Sequence, residues 1–490
     1  MIPTLEGSKY TYVVAETPVA GLSGCAPFGP LVISYSADLS CRIEARDGRK
    51  LALIGLCVDA HGEIPCEEIP AFLLDRGADI EAIAALSDRL AGRFVVVYAD
   101  DGGGTYAFTD AAATLHVNYA TDGRIALSSC EALLAKLLGL SVSPNRRKLW
   151  DGCAPTARMM PNDLTLHEGI RFLLPNHYLV LPDRTVRYFP RGWRFDKLEP
   201  KAAAALIAPL MRNCVRGFAA QCELISGLTA GYDSRLVYAL LREAVEKPHC
   251  YTYINPGFTE KTPDLYIPRQ LSEKFGFAYR QIPRETAPDA YRDVLRTLCG
   301  DWIIDSQINT AYTYANAGYA DKTHIGGALI DQIGRDHVAD GRSHRFAGEG
   351  FIIAVARNYD REAWVHSRAW CREAGADRGS VSLVDLYALE MRCGRWSTTP
   401  PMVHALAGNA YLNIFSCREL LKIMMRVPSR KRYERALQVA LYEIIAPELL
   451  SIPFNPPRTF KSRMKRTRFY TFLAQRVGFA MKARRYGTGR

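Results

Sequence analysis

Leu224-Ile225-Ser226-Gly227-Leu228-Thr229-Ala230-Gly231-Tyr232-Asp233-Ser234-Arg235 is the stretch from which this chain is read. An apolar strand signal at Leu224 and Ile225 runs into the small residues Thr229, Ala230 and Gly231. Asp233-Ser234 follows, and then a helix-like run from Arg235 to Leu241. Small residues let backbone N–H groups approach a phosphate, and the N-terminus of a following helix adds partial positive charge. Thr229 and Ser234 supply hydroxyl donors, and Asp233 can hold Mg²⁺ or orient a neighbour. The stretch has neither the Gly-Lys-Ser/Thr of the commonest phosphate loop nor the G-x-G-x-x-G of dinucleotide folds. Read alone, it is either an ATP-cleaving loop or an ordinary strand–turn–helix connection bent at Gly231.

The chain around it has 490 residues, enough for two or three domains with cores of their own. With 48% hydrophobic and 23% charged residues the composition is that of a soluble globular protein. No apolar run approaches a membrane span, and Met1-Ile2-Pro3-Thr4 lacks the basic start and apolar core of a signal peptide. Thirteen cysteines, an odd number without Cys-x-x-Cys pairs, read as free thiols and suggest a cytoplasmic protein. Residues 451–490 hold eleven Lys or Arg and no acid, so the net charge of +11 belongs to this tail. A basic tail can meet nucleic acid, anionic lipid or an acidic substrate. The spacing of Phe469, Phe472, Leu473, Val477 and Ala480 also predicts a C-terminal helix, either docked on its own domain or lying on a membrane surface.

The first half reads as β-rich. Strand signals cover Leu51–Cys57, Arg93–Tyr98 and Tyr178–Leu181, with helices near Ile80–Leu90 and Glu131–Leu138 and a turn at Asp100–Gly104. From about 200 onward, helix 201–219, strand 222–228, helix 234–245, strand 249–254 and helix 264–275 alternate before a mainly helical remainder. Such alternation predicts a parallel, doubly wound sheet, whose ligands bind beyond the C-terminal strand ends. Leu181–Trp193, with two prolines, is the linker candidate.

The loop Thr229–Ser234 resembles the S-G-G-x-D-S pyrophosphate loop of the ATP pyrophosphatases, with Thr229 and Ala230 in place of the first Ser and Gly. Further segments resemble asparagine synthetase-like proteins, in that family's order. Leu90-Ala91-Gly92-Arg93-Phe94, Thr109-Asp110 and Leu127-Ser128-Ser129 are similar to core strands of its class II glutamine amidotransferase domain, and Leu164–Leu179 is similar to the stretch that closes it. The resemblance implies an α+β, Ntn-type amidotransferase-like sandwich over residues 1–190. It implies an α/β, doubly wound ATP pyrophosphatase domain with a helical C-terminal part over 191–490, with the basic tail from about 456.

That family's glutaminase uses a cysteine at its mature N-terminus. Here the first cysteine is Cys25, so the resemblance implies a domain without glutamine hydrolysis. In the synthetase half, His249–Asn255 is similar to the strand that frames adenine, with Tyr253 facing the nucleotide. Asp264, after Pro263, falls where the family often has Asp, and reads more simply as a helix cap.

His324–Asp331 is similar to the second phosphate segment S-G-E-G-x-D-E. Gly326 and Gly327 would offer amides to ATP and Asp331 would join Asp233 on Mg²⁺, but Ala328 and Gln332 replace the two Glu. Lys431-Arg432-Tyr433-Glu434-Arg435 keeps the K-x-x-x-R spacing, which puts Lys431 and Arg435 on one face of a helix. Lys461, with Arg458 beside it, stands where the family supplies a cation to the leaving pyrophosphate.

The nucleotide-facing set is then Ser226, Thr229, Ala230, Gly231, Asp233, Ser234, Tyr253, Gly326 and Gly327. His167, His177 and His337 lack partners at metal-ligand spacing and read as structural or surface residues. The implied activity is an AMP-forming amide ligase that uses ATP and Mg²⁺, with a small-molecule or peptide carboxylate and an amine or ammonia as substrates. A homodimer is compatible with the sequence. Two alternatives stand beside it: a tRNA-modifying pyrophosphatase, which the amidotransferase-like half disfavours, and a catalytically silent scaffold.

Overall fold

The computed structural model describes residues 3–153, 159–300, 302–336, 349, 352 and 361–456. The first half contains strands β1 (Tyr12–Ala15), β2 (Gly24–Phe28), β3 (Leu31–Tyr35), β4 (Cys41–Arg46), β5 (Arg49–Asp59), β6 (Leu90–Ala99), β7 (Thr105–Thr109), β8 (Asn118–Ala120), β9 (Leu127–Ser128), β10 (Ile170–Phe172), β11 (His177–Val180) and β12 (Arg184–Arg187). They form two six-stranded sheets, β10-β8-β9-β1-β3-β2 and β12-β11-β7-β6-β5-β4. Every pair found within them is antiparallel.

Alternation along β6 decides the layering. Ala91, Val95 and Val97 enter the core between the sheets, facing residues such as Val14 and Ile33. Leu90, Phe94, Val96 and Tyr98 point the other way, onto helices α1 (Ile69–Arg76) and α2 (Ile80–Leu86). Helix α3 (Glu131–Leu138) covers the outer face of the first sheet through Leu134 and Ala135, and α4 (Pro144–Asp151) follows it. Gly92, at φ +145°, is fixed by close approach: a Cβ there would strike the Leu56 carbonyl and Cys57 on β5.

The second half opens with α5 (Pro200–Gln221), whose buried stripe of Ala204, Ile207, Met211, Cys214 and Phe218 follows helical spacing. Then come β13 (Leu224–Gly227), α6 (Tyr232–Ala244), β14 (His249–Ile254), α7 (Pro263–Phe275), β15 (Ala278–Pro283), α8 (Asp289–Cys299), α9 (Asp305–Asn316), β16 (Thr323–Ile325) and, far downstream, β17 (Ala410–Leu412). These strands form one parallel sheet ordered β15-β14-β13-β16-β17. The fold is thus mixed: antiparallel sheets with helices first, then a five-stranded parallel sheet with helices. The largest core cluster runs from Tyr12 and Val95 through Cys214 and Leu236 to Ile330 and Leu441, so the halves share one apolar interior.

Three expectations change. The helix expected over Ile80–Leu90 ends at Leu86; Ser87–Arg89 is a 3₁₀ turn, and Leu90 belongs to the alternation of β6. Leu181–Trp193 is no free linker, because it carries β12, and Gly192 and Trp193 bond through their backbones to Asp377 and Ser380. The mainly helical remainder contains β15, β16 and β17; the last two have three residues each, too few to show a period of two. No helix among the described residues is long and apolar enough to cross a membrane.

Candidate functional site

Strand order reverses between β13 and β16, because the chain leaves β13 toward β14 and β15 and later returns to β13's other side. Crevices beyond the C-terminal ends of the strands at such a reversal are where open parallel sheets bind ligands. The segments after β13 and β16 are the two quoted from the sequence, and the topology sets them side by side.

The first loop is held by its own side chains. The Thr229 and Ser234 hydroxyls lie 2.8 Å apart, and the Thr229 amide donates to Ser234 Oγ at 3.1 Å. The Gly231 amide donates to Thr229 Oγ1 at 3.2 Å. Gly231 then precedes α6, which places Asp233 in the first helical turn. The Ala230 methyl is fully buried in the core, so this residue fits where a glycine would also pass. Its amide donates to Asp264 Oδ1 at 3.0 Å.

Asp264 is therefore not the cap read from sequence. Thr262 takes the cap position of α7, and the Asp264 carboxylate reaches the loop instead. Ser226 is buried in β13, with its hydroxyl turned to the Gly227 carbonyl at 3.2 Å. Tyr253 lies half-buried near the end of β14, tilted against Tyr314 with ring centroids 5.7 Å apart.

The second segment leaves β16 through Gly326 and Gly327 into a π-helical turn, Ile330–Gly334, that carries Asp331. Gly327 sits in close contact with α6: a Cβ there would stand 3.0 Å from Val237 and 3.4 Å from the Asp233 carbonyl, so the Val237 side chain would have to give by a few tenths of an ångström. The Gly326 amide is not open to a nucleotide, because it donates to the Leu412 carbonyl at 3.0 Å and so extends the sheet. Asp331 and Asp233 face a shared cation. Arg435 Nη1 lies 3.6 Å from Asp233 Oδ2, and its Nη2 lies 3.8 Å from Asp331 Oδ1. Arg335 Nη1 lies 3.2 Å from the same Asp331 oxygen. Burial, and then the Asp331 charge, hold the Asp233 carboxyl above the usual carboxylate range, against the pull of Arg435 and Arg335.

Lys431 and Arg435 do not share a helix face. The helix Ser429–Tyr433 stops, and Arg435 takes a left-handed φ of 67° as it starts the next helix, Ala436–Ile445. This turn sends the Arg435 guanidinium over the Tyr232 ring at 4.8 Å and into the carboxylates, while Lys431 stays exposed. Sequence reasoning missed Arg432, which is buried, donates to the Ile333 carbonyl at 2.7 Å and pairs with Asp385 at 2.9 Å. It fixes the turn that presents Asp331; its neighbours Lys431 and Arg435 carried the sequence signal.

A strap crosses the first loop. Arg235 donates to the carbonyls of Ile452 at 2.9 Å and Pro453 at 3.3 Å, with its guanidinium 3.4 Å from the Phe454 ring centre. Phe454 stacks on Tyr232 at 3.9 Å, and the Asn455 amide donates to the Ala230 carbonyl at 2.9 Å. Lys461, Arg458, His337 and the basic tail lie outside the described residues.

In the first half, Cys25 is exposed on the edge strand β2, and all thirteen cysteines are free. Asp110 is buried at the junction of the halves and accepts Ser416 Oγ at 2.5 Å, the Leu115 amide at 3.0 Å and Thr114 Oγ1 at 2.9 Å. The Gly92 amide donates to the Ser416 carbonyl at 3.2 Å. His167 pairs with Glu131 at 2.7 Å and His177 with Glu373 at 3.0 Å.

Among the described residues no group of three or more His, Cys, Asp or Glu is arranged to hold a metal. The Asp233–Asp331 pair still fits a hard cation that takes its remaining ligands from phosphate and water, since buried Asp233 Oδ1 has no hydrogen-bond partner among the described residues. No protein-family model matches this chain, and no curated protein matches it.

Proposed function

We propose that the chain is an ATP-dependent, AMP- and pyrophosphate-forming amide ligase of asparagine synthetase type. In this reading an Ntn-type amidotransferase-like half is joined to an ATP pyrophosphatase half. One observation carries the reading: Asp233 and Asp331, far apart in sequence, meet at the switch point of a parallel sheet with Arg435 between them.

The loop 229–234 receives the pyrophosphate portion of ATP, with the Thr229 and Ser234 hydroxyls and the α6 N-terminus as donors. Asp233 and Asp331 hold Mg²⁺, which shields phosphate charge when bound. A substrate carboxylate oxygen attacks the α-phosphorus, the bond to pyrophosphate breaks, and an acyl-adenylate forms. An amine or ammonia then attacks the acyl carbon and AMP leaves. Arg435 offsets charge on the departing pyrophosphate. Lys461 remains a proposal from sequence, outside the described residues.

The first half acts as a docking surface rather than a glutaminase. Its Gly92 and Asp110 are already bonded to Ser416 of the second half, and Cys25 sits on an exposed edge. The test is ATP–pyrophosphate exchange across a panel of amino-acid, peptide and sugar-acid carboxylates, comparing wild type with Asp233→Ala. Exchange confined to the wild type supports the reading; equal exchange in both removes this site.

A silent scaffold is the second reading. It is favoured because the Ala230, Gly231 and Gly326 amides all have partners within the protein. Calorimetry with Mg·ATP separates the two readings, since a scaffold gives no binding heat.

A further inference from the structure

Four charged groups crowd the switch point: the carboxylates of Asp233 and Asp331 and the guanidiniums of Arg435 and Arg335. Arg335 follows Asp331 by four residues at the end of the π-helical turn, and it stood in no sequence motif. Its side chain is only partly exposed, and its charge is felt by both Asp233 and Arg435 across the crevice. A divalent cation set between the two carboxylates would stand beside two positive guanidiniums and be repelled by them. Triphosphate brings the negative charge that removes this conflict, and a guanidinium fork matches phosphate oxygens as well as it matches a carboxylate.

We propose that Arg335 is a pyrophosphate-binding residue that doubles as a guard against free metal: it holds Asp331 when the site is empty and passes to phosphate when metal and nucleotide arrive together. The inference rests on the ATP site proposed above. Arg435 makes the same exchange from its longer contacts of 3.6 and 3.8 Å. Metal and nucleotide then bind cooperatively, because each offsets charge of the opposite sign that the other brings into the crevice. The left-handed backbone at Arg435 and the π-helical turn before Arg335 set both guanidiniums to face the carboxylates without belonging to either helix's regular face.

The experiment uses the full chain with two probes: free Mn²⁺, followed by its electron paramagnetic resonance signal, and inorganic pyrophosphate with excess Mg²⁺, followed by calorimetry. In Arg335→Met, free Mn²⁺ binds about fivefold more tightly or better, while Mg·pyrophosphate binds about tenfold more weakly. A residue that only shores up the fold would move both affinities in the same direction.

Arg335→Lys keeps the charge but loses the fork. It leaves Mn²⁺ affinity unchanged and weakens pyrophosphate about threefold, which decides the matter if the Met variant does not fold. Shifts of the same sign in Arg335→Met, or unchanged pyrophosphate affinity in both variants, overturn the role of Arg335 while Asp233→Ala still abolishes binding of both probes. A wild type that binds neither probe overturns the ATP site and this inference together.

Discussion

Asp264 accepts the backbone amide of Ala230 at 3.0 Å, so a carboxylate from α7 is built into the phosphate-loop candidate. A short loop of small residues has many conformations to lose. Here that freedom is removed by one charged acceptor from a neighbouring helix, the Thr229–Ser234 hydroxyl pair, and the Asn455 amide on the Ala230 carbonyl.

Asp264→Ala should therefore weaken Mg·ATP binding about tenfold, the order expected when a hydrogen bond to a charged group is lost. Asp264→Asn, which keeps an acceptor oxygen, should cost less than threefold. Calorimetry on both variants checks this. Equal losses would mean that charge, not loop order, is what Asp264 supplies.

Gly326 packs beneath the Tyr411 hydroxyl, where a Cβ would overlap it. Gly326→Ala should lower stability by about 1–3 kcal/mol through overpacking. Adding Tyr411→Phe removes the nearest atom and should recover part of the loss. A double-mutant cycle of urea midpoints measures the coupling, and strict additivity would contradict the contact.

Three buried histidines should make the protein acid-labile. Burial, and then neighbouring Arg93 and Arg395, lower His116 from 6.5 to about 3. Burial lowers His324 to about 3 and His404 to about 4. Each folded value lies below the unfolded one, so the unfolded chain takes up protons first. The stability is complete above the unfolded value and is lost as pH falls toward the folded values. For His116 or His324 the loss between pH 7.5 and 5 is about 2 kcal/mol. Urea unfolding across that range should show the slope, and His404→Phe, which keeps a ring among Tyr314 and Tyr411, should flatten it. A flat wild-type profile would mean that these rings are not buried neutral.

The junction of the halves should be cooperative. Asp110→Ala leaves the donors at Ser416, Thr114 and Leu115 buried without their acceptor and should cost about 3 kcal/mol or more, whereas Ser416→Ala should cost about 1–2 kcal/mol. One shared core also predicts a single calorimetric transition for the described body. Two resolved transitions would show that the halves fold independently.

Elements with long, clean periods were legible. Helix α5, strand β14 and helix α7 appear within a residue or two of expectation, because their apolar stripes repeat over several turns or pleats. The alternation of β6 likewise announced a strand buried on both faces only once helices were seen on one side and a second sheet on the other. Strands β16 and β17 were not legible, since three residues show no period. Nor was the break between Lys431 and Arg435, because nothing in K-x-x-x-R spacing marks a left-handed residue at its end.

By itself the sequence determined the chemistry available at Thr229–Ser234 and the strand–loop–helix that carries it, because small residues, hydroxyls and periodicity are local properties. Only the tertiary structure decided which charges share a site. The reversal of strand order brings Asp331 to Asp233, the left-handed turn aims Arg435 between them, and α7 lends Asp264 to Ala230. Distances between residues remote in the chain are set by how sheets order and helices stop, and no pattern along the chain encodes them directly.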